Sequence, residues 1–156
     1  MIQINKVLVP IDFSDFSAQA LVYGLELCDK FDAELHLLHV LEKHVTSTPQ
    51  FAMGLAIPER EEESATAVME QMNKLPGNDG AANGKVVRET AHGSPFVEIV
   101  KYSKDNQIDL IAIGTHGRTG LSHVVMGSVA ENVVRHATCP VLTVRKEGHQ
   151  FVAWDV

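Results

Sequence analysis

Between residues 6 and 40 the side-chain pattern runs strand, helix, strand, and this order constrains the fold more than any single motif. Lys6-Val-Leu-Val-Pro-Ile11 is a short apolar, β-branched run that ends in Asp12-Phe-Ser-Asp15, polar residues suited to a turn and a helix cap. Phe16, Ala20, Tyr23, Leu27 and Phe31 then recur at helical spacing, with Leu21, Leu25 and Cys28 widening the stripe. Ala33 to Val40 reads as a second strand. A strand, a helix and a strand in succession make a βαβ unit, whose strands lie parallel.

The alternation continues along the chain. Leu41 to Pro58 has no sustained period and carries Thr-Ser-Thr-Pro and Gly54, which makes it a candidate lid, binding loop or mobile excursion. Glu59 to Leu75 reads as a helix with Ala65, Val68, Met69, Met72 and Leu75 on its apolar side, and Pro76 to Gly84 as a loop. Lys85 to Thr90 is a third, partly exposed strand. Ser94 and Pro95 open a helix as N-cap and first residue, with Phe96, Ile99 and Val100 facing inward. Asp109-Leu-Ile-Ala-Ile113 is the most apolar strand, Ser128 to Ala137 the last helix and Val141 to Val144 the last strand.

Five strands alternating with helices predict an α/β fold: an open five-stranded parallel sheet with helices on both faces, Rossmann-like. At 156 residues this is one domain, residues 1–145, followed by a tail at 146–156. Open parallel sheets bind ligands outside the C-terminal ends of their strands, where the strand order reverses. The ends to watch are Asp12, Val40 and Gly114.

After the strand ending at Ile113 comes Gly114-Thr-His-Gly-Arg-Thr-Gly-Leu-Ser-His-Val-Val-Met-Gly-Ser128. Backbone that approaches a phosphate closely favours glycine, and the free N–H groups of a helix start add donors and a partial positive potential. The segment therefore reads as a phosphate cradle. It reads equally as turn-shaping glycines before a capping box, Ser128 with Glu131. Its spacing fits neither a Walker A loop nor a dinucleotide fingerprint.

Charge and composition exclude other classes. With 13 Lys and Arg against 20 Asp and Glu the net charge is −7, so no basic excess exists to coat nucleic acid nonspecifically. The N-terminal residues lack the pattern of a secretory signal, and no apolar run approaches the roughly 20 residues of a membrane span, so a soluble cytoplasmic protein without a membrane partner is expected. Two cysteines, Cys28 and Cys139, form neither a disulfide framework nor a Cys-x-x-Cys site. His36 and His39 sit three apart on a strand, face opposite sides and read as packing or surface residues rather than a shared metal site. No metal set and no catalytic triad is read, and the loop chemistry of a flavin carrier is missing.

The motif carries a resemblance. Gly114-x2-Gly117-x9-Gly127-Ser128 matches the ATP-binding pattern of the universal stress protein family, the match runs on through GSVAENVVRHATCPVLTV, and KVLVPIDFSDFSAQAL resembles the family's first strand, acidic residue and helix. The resemblance covers nearly the whole chain. It implies strand order 3-2-1-4-5 and a ligand of ATP, with AMP or ADP as alternatives, and Mg2+ carried by the phosphates. It further implies Pro10, Ile11 and Asp12 on the adenosine side, with Asp12 near the ribose hydroxyls, and backbone around Val40 against adenine. Gly114, Gly117, Gly127 and Ser128 would hold the ribose-phosphate region, with His116, Arg118 and Thr119 at the rim of the loop. A homodimer through Val141–Val144 is implied too, together with an unidentified signalling partner. The competing expectation is a nucleotide-independent, homodimeric interaction module on the same fold.

Overall fold

The computed structural model describes residues 2–42, 64–76, 85–116 and 126–145. Five strands, β1 (Lys6–Pro10), β2 (Glu34–Leu41), β3 (Val86–His92), β4 (Leu110–Gly114) and β5 (Val141–Val144), alternate with α1 (Asp15–Phe31), α2 (Ala65–Asn73), α3 (Pro95–Asp105) and α4 (Ser128–His136). All pairings are parallel and the order is β3-β2-β1-β4-β5, as the resemblance implied. The sheet thus grows outward from β1 in one direction, then restarts beside it with β4.

The strands read as continuous apolar runs because both faces are covered, and the two-residue period sorts their side chains. Val7, Val9, Leu35, Leu37 and Ala112 pack with Ala20, Leu21 and Cys28 of α1 and Val68 and Met72 of α2. Leu8, Leu38, Ile111 and Ile113 point the other way and pack with Ile99 of α3 and Ala130 and Val133 of α4. β3 is partly exposed, as its composition suggested.

Three elements differ from the sequence reading. The buried face of α1 is Ser17, Ala20, Leu21, Gly24 and Cys28, whereas Tyr23 and Phe31 are 43% and 38% exposed. Small residues win that face because the helix lies close on the sheet: a Cβ on Gly24 would stand 2.5 Å from Val9 Cγ2. The second helix, α2, begins at Ala65, because Ser64 is extended (φ −73°, ψ 139°) and its side chain accepts from Ala67 N; positions 59–63, where the helix was expected to start, lie outside the described residues. In the last helix Gly127, not Ser128, is the N-cap, so the Ser128–Glu131 capping box does not form; Glu131 instead pairs with Arg135 one turn on, at 2.8 Å. Ala137, in extended backbone, already lies outside this helix.

Candidate functional site

The strand order reverses between β1 and β4, and because the strands are parallel the chain leaves β1, β2 and β4 at the same end of the sheet. Pro10 closes β1, in register with Leu38 of β2. Ile11 still donates its N–H to the Leu38 carbonyl at 2.8 Å, and its own carbonyl accepts from the imidazole of His39, Nδ1 at 2.7 Å. Val40, half-buried next to His39, pairs with Ala91 near the end of β2.

Asp12 organises the turn into α1. Its Oδ1 accepts from Ser14 N at 3.0 Å and Ser14 Oγ at 2.6 Å, and its N–H reaches Ser17 Oγ at 3.4 Å. Ser14 in turn caps α1 by accepting from Ser17 N. One carboxylate oxygen therefore fixes the turn, in keeping with the polar residues read as a turn and helix cap. Phe13 between them adopts φ 61°, the left-handed region. Its ring stands 5.1 Å from that of His39.

On the β4 side, Gly114 has a reason of its own. A Cβ there would lie 2.8 Å from the backbone of Phe16, so only glycine lets the first turn of α1 pack on the end of β4. Thr115, buried, donates its N–H to the Val144 carbonyl and accepts from Gly127 N at 2.6 Å. That bond ties the start of α4 to the end of β4. The Thr115 hydroxyl lies 3.1 Å from His116 Nδ1, and the His116 ring contacts Phe16 at 5.1 Å between centroids. Gly127 has φ −70° and ψ 152°, ordinary extended backbone, so torsion does not demand glycine there. The N-cap, Gly127, has no side chain with which to cap α4, and Ser128 occupies the first position of the helix.

Pro10, Ile11, Asp12, Val40, Gly114, His116, Gly127 and Ser128 thus fall at one end of the sheet, whereas Gly117, Arg118 and Thr119 lie outside the described residues, as do positions 43–58 and the tail at 146–156. Sequence reasoning gave Phe13 and Thr115 no role of their own and placed Phe16 only in the α1 stripe; no local signal marks their contacts with His39, Gly127 and His116. His36 and His39 do face opposite sides: His36 Nδ1 meets Tyr102 Oη of α3 at 2.9 Å, His39 the β1–α1 turn. Among the described residues no three His, Cys, Asp or Glu side chains gather to hold a metal, and no helix is long and apolar enough to cross a membrane.

Known proteins share this arrangement. The profile of the universal stress protein family matches residues 3–145. The Bacillus subtilis universal stress protein YxiE is 38% identical over 146 residues, covering 90% of this chain and 99% of the relative. The solved structure of UspA from Lactobacillus plantarum superposes with a TM-score of 0.75 at 27% identity, over 93% of this chain and all of that one. A universal stress protein solved in complex with cAMP is alike in fold, with a TM-score of 0.64 at 21% identity over 92% of this chain and 98% of its own. With a sheet in the expected order, its polar turns at the reversal and a family match from residue 3 to residue 145, this chain belongs to the universal stress protein family.

Proposed function

We propose that this protein binds an adenine nucleotide across the C-terminal ends of β1, β2 and β4 and acts in stress response through the effect of that ligand on loop order or assembly. The observation that carries the reading is the juxtaposition at the sheet's reversal point of an acidic turn, Asp12, with the start of α4, whose N-cap, Gly127, has no side chain to occupy the terminal N–H groups. A carboxylate suits sugar hydroxyls and repels phosphate, while a helix N-terminus attracts phosphate, so the two ends of the crevice match the two ends of a nucleotide. Pro10, Ile11 and Asp12 would line the adenosine side and Val40 backbone the adenine. Gly114, Gly117, Gly127 and Ser128 would hold the ribose and phosphates, with His116, Arg118 and Thr119 at the rim of the loop. The fold's capacity for such a ligand is seen in the relative that holds cAMP.

ATP is the first choice of ligand, with AMP and ADP behind it. Mg2+ would arrive on the phosphates, since the described residues offer no carboxylate cluster for it. Binding rather than turnover is the activity proposed, in the cytoplasm. A homodimer through Val141–Val144 is proposed on physical grounds: β5 is a sheet edge whose Val141, Leu142 and Thr143 are only half-buried, and an apolar edge calls for cover. That edge also favours the second reading, a homodimeric interaction module that needs no nucleotide.

Equilibrium binding of ATP and AMP, with and without Mg2+, to nucleotide-stripped wild type and to Gly117→Val separates the two. Saturable binding by wild type, lost in a variant that remains folded and dimeric, is expected. A stripped wild type that binds neither ligand at millimolar concentration would leave the interaction module as the better account.

A further inference from the structure

We infer that His39 is a positioning residue for the adenosine half of this site, acting through the Ile11 carbonyl; the inference rests on the nucleotide-binding reading. The imidazole is 2% exposed, on the face of β2 that packs against α1 and α2, and its Nδ1 lies 2.7 Å from Ile11 O. A carbonyl can only accept, so Nδ1 carries the proton. The bond falls where β1 stops: Pro10 is its last residue in register with β2, and Ile11 then leaves toward α1. One side chain therefore joins the exit of β1, with Ile11 and Asp12, to the stretch of β2 that carries Val40.

The same ring supports the turn from its other side. Phe13 is held at φ 61°, a conformation bulky side chains rarely adopt, and its ring tilts by 34° against the imidazole at 5.1 Å. Such a backbone persists only when the surroundings over-determine it. Here Asp12 and Ser14 hold the turn by hydrogen bonds and His39 holds it by a hydrogen bond and a ring contact. Release of the imidazole would let Asp12 drift relative to Val40 and leave the start of α4 untouched.

The prediction is specific to chemistry at one nitrogen. Asn can offer its amide N–H near the place of Nδ1, Leu can offer nothing. His39→Leu should weaken ATP and AMP binding by the same factor, tenfold or more, because the loss lies in the adenosine they share, while His39→Asn should stay within threefold of wild type. Titration calorimetry on the stripped full-length proteins reads both, with circular dichroism and thermal midpoints to confirm the fold. Two ligand-free measurements accompany it: 15N NMR of the imidazole should report the Nδ1–H tautomer, and amide exchange at Asp12, Phe13 and Ser14 should quicken in His39→Leu. A folded His39→Leu that binds within threefold of wild type overturns the inference, as does an Nε2–H tautomer or a His39→Asn as weak as His39→Leu. If wild type binds no nucleotide while the tautomer and exchange results hold, the nucleotide reading is what fails, and His39 stands as the clamp of the turn.

Discussion

Phe13 at φ 61° stores roughly 1–3 kcal/mol of backbone strain beside Asp12, and the turn holds it there because every neighbour has a bonded place. Asp12 has two tasks in the proposed site, fixing Ser14 and facing sugar hydroxyls, and substitution can part them. Asp12→Asn keeps an acceptor for Ser14, so its thermal midpoint should stay near that of wild type while nucleotide affinity falls about tenfold, the ~1.4 kcal/mol scale of a charge-assisted hydrogen bond made neutral. Asp12→Ala should lose both, and calorimetry with a melting curve distinguishes the pair. Two buried groups, Cys28 and His36, and the half-buried Tyr102 shape the pH dependence of stability. Burial pushes the Cys28 thiol from 9.0 up to about 12 and the Tyr102 hydroxyl from 10.0 up to about 12. The unfolded chain gives up these protons earlier, so stability is full below pH 9.0 and declines as pH rises toward 12. Burial lowers the His36 pKa below 6.5 against the opposing pull of Glu34, so its contribution is present above pH 6.5 and is lost as pH falls through the lowered value. Urea midpoints should therefore form a plateau between pH 6.5 and 9.0, and Tyr102→Phe should flatten the alkaline limb. The protonated Cys28 thiol should resist alkylation at pH 8 until the protein unfolds.

At the scale of the element, helix α1 shows how packing overrides propensity. Gly24 in mid-helix costs about 1 kcal/mol relative to alanine, yet the added Cβ would meet the fully buried Val9 at 2.5 Å. Gly24→Ala should accordingly destabilise, by about 1–3 kcal/mol net, where propensity alone predicts a gain; chemical denaturation reads the sign. The strands were legible because short continuous apolar runs between turn residues are local signals, and Val141–Val144 stands where its sequence put it. The α1 stripe was misjudged because large apolar side chains weigh more in a pattern than Ser17, Ala20 and Gly24, the residues that let the helix approach. Ser128 was misjudged because its spacing to Glu131 fits a capping box, but Arg135 one turn later competes for that carboxylate.

The proposed ligand site lies at one end of the sheet and the proposed dimer contact at its β5 edge, and Thr115 bonds to both regions. Its N–H holds the Val144 carbonyl of β5 and its carbonyl holds Gly127 at the start of α4. The carbonyls of Pro140, just before β5, and of Val144 accept from Ile111 of β4 and from Thr115 just past it, so by alternation Val141 and Thr143 direct their backbone groups to the other edge. Thr143→Pro removes an outward N–H without touching the bonds to β4. It should shift the proposed dimer to monomer in sedimentation velocity while the circular dichroism spectrum is retained; a wild type that is monomeric at every concentration would remove the β5 pairing. The sequence by itself determined the alternation of strands and helices, the parallel sheet covered on both faces and the glycine spacing that carries the family, because each is a pattern of neighbours along the chain. Only the tertiary structure decided which face of α1 is buried, why Gly114 must be glycine, how Phe13 comes to φ 61° and that His39 reaches a carbonyl 28 positions away. Those depend on how closely packed elements approach and on the register in which two strands meet, distances that no local pattern of residues encodes.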